Sequence, residues 1–191
     1  MNRLEFLAEA ANGKTLDVGF NPNYTVLHDA LVKKLGQKNV IAIDTVVEKP
    51  SKFILKASAE KMPFKKNEFD SIIAGELIEH LKNPEKFVSE SARVLKKGGV
   101  LALSTPNRKS WLNRLTHSYE APLHFSLFSI PELTALLEKH GFKIIEIKMF
   151  PYTAESSEGS RHKWFMPVRK IVHYVVPFSL KENIVLAAVK K

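Results

Sequence analysis

LDVGFNPNY, Leu16–Tyr24, opens as an apolar strand and breaks at Gly19 into a turn. A strand that closes on an aspartate and a glycine ahead of a helix is how a nucleotide-binding βα unit begins. The further glycines of such a turn are absent, and Phe20, Asn21, Pro22 and Asn23 occupy their places. That gap counts against a nicotinamide dinucleotide, whose pyrophosphate needs close approach to backbone amides. A ligand without phosphate needs fewer glycines. Asn21 and Asn23 tolerate the left-handed conformation better than other non-glycine residues, and Pro22 stiffens the bend. The competing reading is that Phe20 and Pro22 fill the hollow, leaving a domain that binds no cofactor.

Working outward, strands and helices alternate. An amphipathic helix over residues 3–12 stops at Gly13, and KTLDVG (14–19) is the first strand. Thr25 is placed to cap a helix over 26–35 that ends before Gly36. VIAID (40–44) is a continuous apolar run, the mark of a strand buried on both faces of a parallel sheet. KFILKA (52–57) and DSIIAG (70–75) are the third and fourth strands. Asn83-Pro84 starts a helix running through Leu95 to Lys97-Gly98-Gly99, and VLALST (100–105) is the fifth strand. Ser129 to Glu132 is a capping box, its helix ends at Gly141, and FKIIEIKMF (142–150) and NIVLAAV (183–189) complete the set. The pattern predicts one α/β domain over 1–191, with a mostly parallel sheet and helices on both faces. Right-handed crossovers bring Gly19–Asn23, Asp44, Ser58-Ala59 and Gly75-Glu76 to one sheet edge, where such folds bind ligands.

Composition narrows the classes. With no cysteine, disulfides and thiolate metal sites are excluded, and seven scattered histidines without H-x-x-x-H or HExxH spacing predict no metal. No apolar run is long enough for a membrane span and MNRLEFLAEA is not a signal peptide, so a cytoplasmic location is expected. The net charge of +9 is compatible with nucleic acid or anionic lipid. No RNA- or DNA-binding module accompanies it, so nucleic acid is not the favoured partner.

Three longer stretches carry a resemblance. ASAEKMPFKKNEFDSIIAGELIEHL (57–81), PEKFVSESARVLKKGGVLALSTPN (84–107) and HFSLFSIPELTALLEKHGFKI (124–144) closely resemble the class I S-adenosylmethionine-dependent methyltransferases. Within them they are similar to the group acting on quinones, sugars, lipids and other small molecules. The resemblance implies a Rossmann-like, seven-stranded sheet with the last strand antiparallel, and S-adenosyl-L-methionine as cofactor. It places Asp17, Gly19, Phe20 and Asn21 in the first cofactor motif, and Asp44 with Thr45 at the ribose. Ser58, Ala59 and Glu60 fall at the adenine, with a serine where an aspartate is common, and Gly75 and Glu76 fall beside the methionine. The cofactor has no phosphate, which accommodates the glycine-poor turn.

Methyl transfer to an oxygen can need a proton acceptor, and His80 and His124 are the catalytic candidates at the open edge. His80 follows Glu76 by one helical turn, while Glu79 is expected to face solvent or pair with a lysine. Asn107, in TPN (105–107), is expected to line the acceptor pocket. Residues 151–182 form an insert, read as a lid or substrate cap, in which 161–178 mixes aromatic and basic residues. That mixture suits a packed cap or peripheral contact with a membrane surface and a lipid-like acceptor. The leading expectation is a methyltransferase for a sugar, lipid or quinone-type hydroxyl. Its rivals are a non-catalytic binding domain of the same fold and an enzyme acting on RNA or protein.

Overall fold

The computed structural model describes residues 1–115, 124–151 and 166–191, without the side chains of 166–170. Its centre is a seven-stranded sheet of order β3-β2-β1-β4-β5-β7-β6. The strands are β1 (Thr15–Val18), β2 (Val40–Asp44), β3 (Ile54–Lys56), β4 (Phe69–Gly75), β5 (Leu95–Pro106), β6 (Phe142–Phe150) and β7 (Asn183–Lys190). The first five pair in parallel, whereas β7 runs antiparallel to both β5 and β6. The strand order reverses between β1 and β4, so the ends of β1, β2 and β4 open onto one crevice.

Side-chain alternation explains the two layers. Ile72 and Ala74, Leu101 and Leu103, and Ile184, Leu186 and Ala188 point to one face. There they meet α3 (Pro84–Val94) and α5 (Ile130–Lys139) through Phe87, Val88, Leu133 and Leu137. The intervening Ile73, Ala102, Val185 and Ala187 point to the other face. They pack on Phe6 and Leu7 of α1 (Arg3–Ala10) and Leu31 of α2 (Val26–Leu35). Central strands buried on both sides must be apolar throughout, which is why VIAID and NIVLAAV have no polar alternation. Phe87 is fully buried between α3 and the sheet. Phe87→Ala is therefore expected to cost about 3–5 kcal/mol, read as a lowered urea midpoint with unchanged slope.

The helix starts follow the sequence. Asn2 and Glu5 form a capping box on α1, and Asn83 caps α3 by accepting the Lys86 amide. Ser129 donates its amide and hydroxyl to Glu132 at the start of α5. Elsewhere the expected bounds shift. The α3 helix ends at Val94, and Leu95 is already extended because it pairs with Phe69 at the start of β5. At α2 the Thr25 hydroxyl donates to the Asp29 carboxylate instead of capping the backbone. Gly13 has φ +55, and a Cβ there would come within 2.5 Å of Asp70 Oδ2, so the stop after α1 needs glycine.

Two further helices follow β5 and β6 in the chain: α4 (Trp111–Leu115) and α6 (Met166–Val175). Pro167 sits in the first turn of α6 and Pro177 lies past its end, which confines the helix between them. Among the described residues, no helix is long and apolar enough to cross a membrane.

Candidate active site

The crevice at the strand reversal is a cleft of about 780 Å³. Its walls come from α1, the turn after β1, the end of β2, the turn after β4, and the loop at His124. Among the described residues, four carboxylates line it, Asp17, Asp44, Glu76 and Glu79, against one guanidinium, Arg3. A chain of net charge +9 thus holds an acidic cleft. Such a lining favours a cationic ligand and repels a phosphate.

The turn after β1 is built without extra glycines. The Gly19 and Phe20 amides both donate to the Ile43 carbonyl, at 3.0 and 3.2 Å, tying the turn to β2. Asn21 Oδ1 accepts the Asn23 amide and the Asn21 carbonyl accepts the Tyr24 amide, so the bend is held by its own groups. Positive φ is needed only at Gly19, at +90, where a Cβ would press on Leu77 at 3.1 Å. Asn21 and Asn23, which would tolerate it, do not adopt it, and the Asn21 side chain instead holds the bend by accepting the Asn23 amide. Phe20 is buried with Ala42, Val47 and Ile54, its ring edge-on to His28, so it borders the cleft without filling it.

Asp17 is buried and bonds His28 Nδ1 at 3.0 Å. Burial pushes its carboxyl above the usual range, against the opposing pull of His28. Asp44 is less enclosed and stands at the tip of β2. Its Oδ1 accepts the Val46 amide at 2.9 Å and the Thr45 hydroxyl at 3.3 Å, which orients the carboxylate beside the cleft. Ser58, Ala59 and Glu60 do not line the cleft. The Ser58 hydroxyl accepts the Glu60 amide, Ala59 is in the core, and Glu60 accepts the Asn83 amide.

The turn after β4 carries the most charge. Glu76 has φ +50, and its Oε1 lies 2.6 Å from Arg3 Nη1 and accepts the Ser104 hydroxyl at 2.8 Å. It therefore turns toward α1, and His80 belongs to a separate 3₁₀ turn, Ile78–His80. Glu79 corrects the solvent-facing expectation: it is 1% exposed, and its Oε2 accepts the Thr105 hydroxyl at 3.0 Å. Burial, and then the neighbouring Glu76, raise its carboxyl well above the ordinary range. The Glu79 carbonyl accepts the Phe125 and Ser126 amides, at 2.8 and 3.1 Å, and so docks the His124 loop. The rings of His80 and His124 stand with centroids 4.9 Å apart, both lining the cleft.

Two further expectations shift. Asn107 is fully buried and clasps the approach to β7 by donating to the Ser179 and Lys181 carbonyls. It does not line the cleft, which Pro106 borders instead. The insert's residues 152–165, including Arg161 and Lys163, lie outside the described residues. Its α6 helix packs beside α4 around Leu112, Val172 and His173. Ile171, Tyr174, Val175 and Phe178 are exposed, so part of the insert packs and part presents an apolar surface.

Arg3 and His28 are site residues that the strand-end pattern does not point to, although each carries a signal in the sequence. Arg3 shares a face with Phe6 and Leu7, and His28 with Leu31. A polar residue on an apolar helix face demands a buried partner.

A Rossmann-like sheet with β7 antiparallel, and an acidic cleft at its switch point, define a class I S-adenosylmethionine-dependent methyltransferase fold. The chain matches the methyltransferase domain family over residues 2–147 and belongs to it. The 2-methyl-6-phytyl-1,4-hydroquinone methyltransferase 1 of Oryza sativa subsp. japonica is 27% identical over 168 residues, covering 82% of this chain and 46% of that protein. The ubiquinone biosynthesis O-methyltransferase of Bartonella bacilliformis is 29% identical over 121 residues, covering 56% of this chain and 47% of that one. Phosphoethanolamine N-methyltransferase 2 of Haemonchus contortus, in complex with S-adenosyl-L-methionine, superposes with a TM-score of 0.64 at 17% identity. That match covers 98% of this chain and 52% of the other. The chain spans about half the length of the curated relatives it matches.

Proposed function

We propose that this chain transfers a methyl group from S-adenosylmethionine to a hydroxyl of a small-molecule acceptor of the quinone, lipid or sugar type. The acidic cleft carries the reading, because among its described residues four carboxylates stand around one guanidinium, which suits a ligand with a sulfonium and an ammonium group. Asp44, held by Val46, is the acceptor for the ribose hydroxyls. Gly19, where a Cβ would crowd Leu77, lets the first turn pass close to the methionine portion. Asp17 lies deeper, and its bond to His28 keeps it in place behind that turn.

When bound, the cofactor supplies an electrophilic methyl on a sulfur that leaves as a neutral thioether. The chain's own task is then mostly orientation, holding the acceptor oxygen in line with the methyl, which is worth roughly 7–11 kcal/mol in well-aligned systems. His80 and His124 stand together at the acceptor end, where an imidazole can take the hydroxyl proton. The same carboxylates disfavour a phosphate backbone in the cleft, which speaks against nucleic acid as the acceptor. The quinone and hydroquinone enzymes among the relatives support the acceptor class.

Calorimetry tests the reading directly. Both S-adenosylmethionine and S-adenosylhomocysteine are expected to bind with micromolar dissociation constants and one site per chain. Absence of heat at millimolar cofactor would leave a non-catalytic domain of the same fold.

A further inference from the structure

We propose that Glu79, His80 and His124 form a site for one divalent transition-metal ion, of the zinc, cobalt or manganese kind, at the acceptor end of the cleft. One ligand atom from each of the three lies within 4.8 Å of the others. Zinc bonds of about 2.0–2.2 Å place tetrahedral ligands roughly 3.4 Å apart, so closure needs side-chain rotations of about an ångström. Those rotations start from a fixed frame. Glu79 and His80 are adjacent in the 3₁₀ turn, and the Glu79 carbonyl holds the His124 loop through two amide bonds.

A second observation points to the ion independently. Glu79 is 1% exposed, yet its Oε1 is buried with no hydrogen-bond partner among the described residues. A buried carboxylate oxygen without a donor is costly, and a cation would relieve that cost. The other oxygen, Oε2, already accepts the Thr105 hydroxyl, the kind of outer bond that aims a carboxylate at a metal.

The donor set narrows the ion. Two imidazoles and one carboxylate suit zinc, cobalt, manganese or ferrous iron rather than calcium, which takes oxygen ligands alone. Three protein ligands leave coordination positions open, as in catalytic rather than structural sites. Because His80 and Glu79 both line the cleft, those positions face the acceptor space. Resting on the methyl-transfer reading, the ion would bind the acceptor oxygen and acidify its hydroxyl, so that the proton leaves to solvent and the two histidines serve as ligands in place of the proton-accepting role given them above.

The full chain is stripped with a chelator and titrated with Co²⁺, following visible absorption and displacement by Zn²⁺. Binding of S-adenosylhomocysteine is measured in parallel by calorimetry. One equivalent of Co²⁺ is expected to bind, at least about 10-fold more weakly in His124→Gln and in Glu79→Gln, because loss of a ligand costs no less than loss of an outer-shell partner. His124→Gln lies on a loop, so it reports on the site even where Glu79→Gln unfolds. Failure to take up one equivalent, or unchanged affinity in both His80→Gln and His124→Gln, overturns the site. Co²⁺ uptake without S-adenosylhomocysteine binding upholds the site and removes the methyl-transfer reading instead.

Discussion

Asp44→Ala is expected to weaken S-adenosylmethionine binding by about 100-fold or more while leaving the fold intact. The carboxylate stands at the tip of β2 with one oxygen anchored by the Val46 amide, so it can meet both ribose hydroxyls without reorganising. A hydrogen bond to a charged group contributes about 1.5–3 kcal/mol, which is roughly 10- to 150-fold in affinity for each one lost. Asp44 is not part of the buried core, so its loss should leave the thermal midpoint nearly unchanged. Asp44→Asn keeps one acceptor and should fall between the two. Undiminished binding in Asp44→Ala would move the nucleoside away from the β2 tip and remove the main support for the cofactor's placement.

The second large effect falls on stability. Arg3 is 6% exposed and pairs with Glu76, 24% exposed, at 2.6 Å, with Glu79 close behind. Arg3→Ala leaves those acids facing each other across the floor of the cleft. Breaking a buried pair costs about 3–5 kcal/mol, and the partial exposure of Glu76 lowers the expectation here to about 2–3 kcal/mol. For a chain of this size that corresponds to a fall in Tm of about 4–12 °C. The double variant Arg3→Ala, Glu76→Gln should recover part of the loss, because it removes the orphaned charge. A single variant as stable as the wild type would show that water already screens the pair. Cofactor affinity should fall with the single variant as well, since Arg3 and Glu76 both line the cleft.

The sheet was legible because its chemistry is periodic. VIAID and NIVLAAV are short, β-branched-rich apolar runs that suit strands buried on both faces, and Asn83-Pro84 and Ser129 to Glu132 carry their own caps. The cleft was legible where a residue closes or directly follows a strand, as Asp44 does at the end of β2 and Gly19 and Glu76 do after β1 and β4. It was not legible where a side chain arrives from elsewhere. Arg3 reaches the site from α1, His28 from α2, and Glu79 is made interior by a loop that docks on its carbonyl. A search by spacing also misses three side chains able to ligate a metal when two are neighbours and the third arrives from a distant loop. Asn107 erred the other way: its position after a strand suggested the cleft, but its amide had backbone carbonyls to satisfy near β7.

The strand order has a temporal meaning. Within the sheet β6 touches only β7, which is synthesised after it and inserts between it and β5. On the ribosome β6 must wait, an unpaired strand exposing Phe142 and Met149, until the β7 segment emerges and seats both at once. A chain interrupted before β7 therefore forfeits two strands, and a chaperone that shields β6 should matter most in that interval.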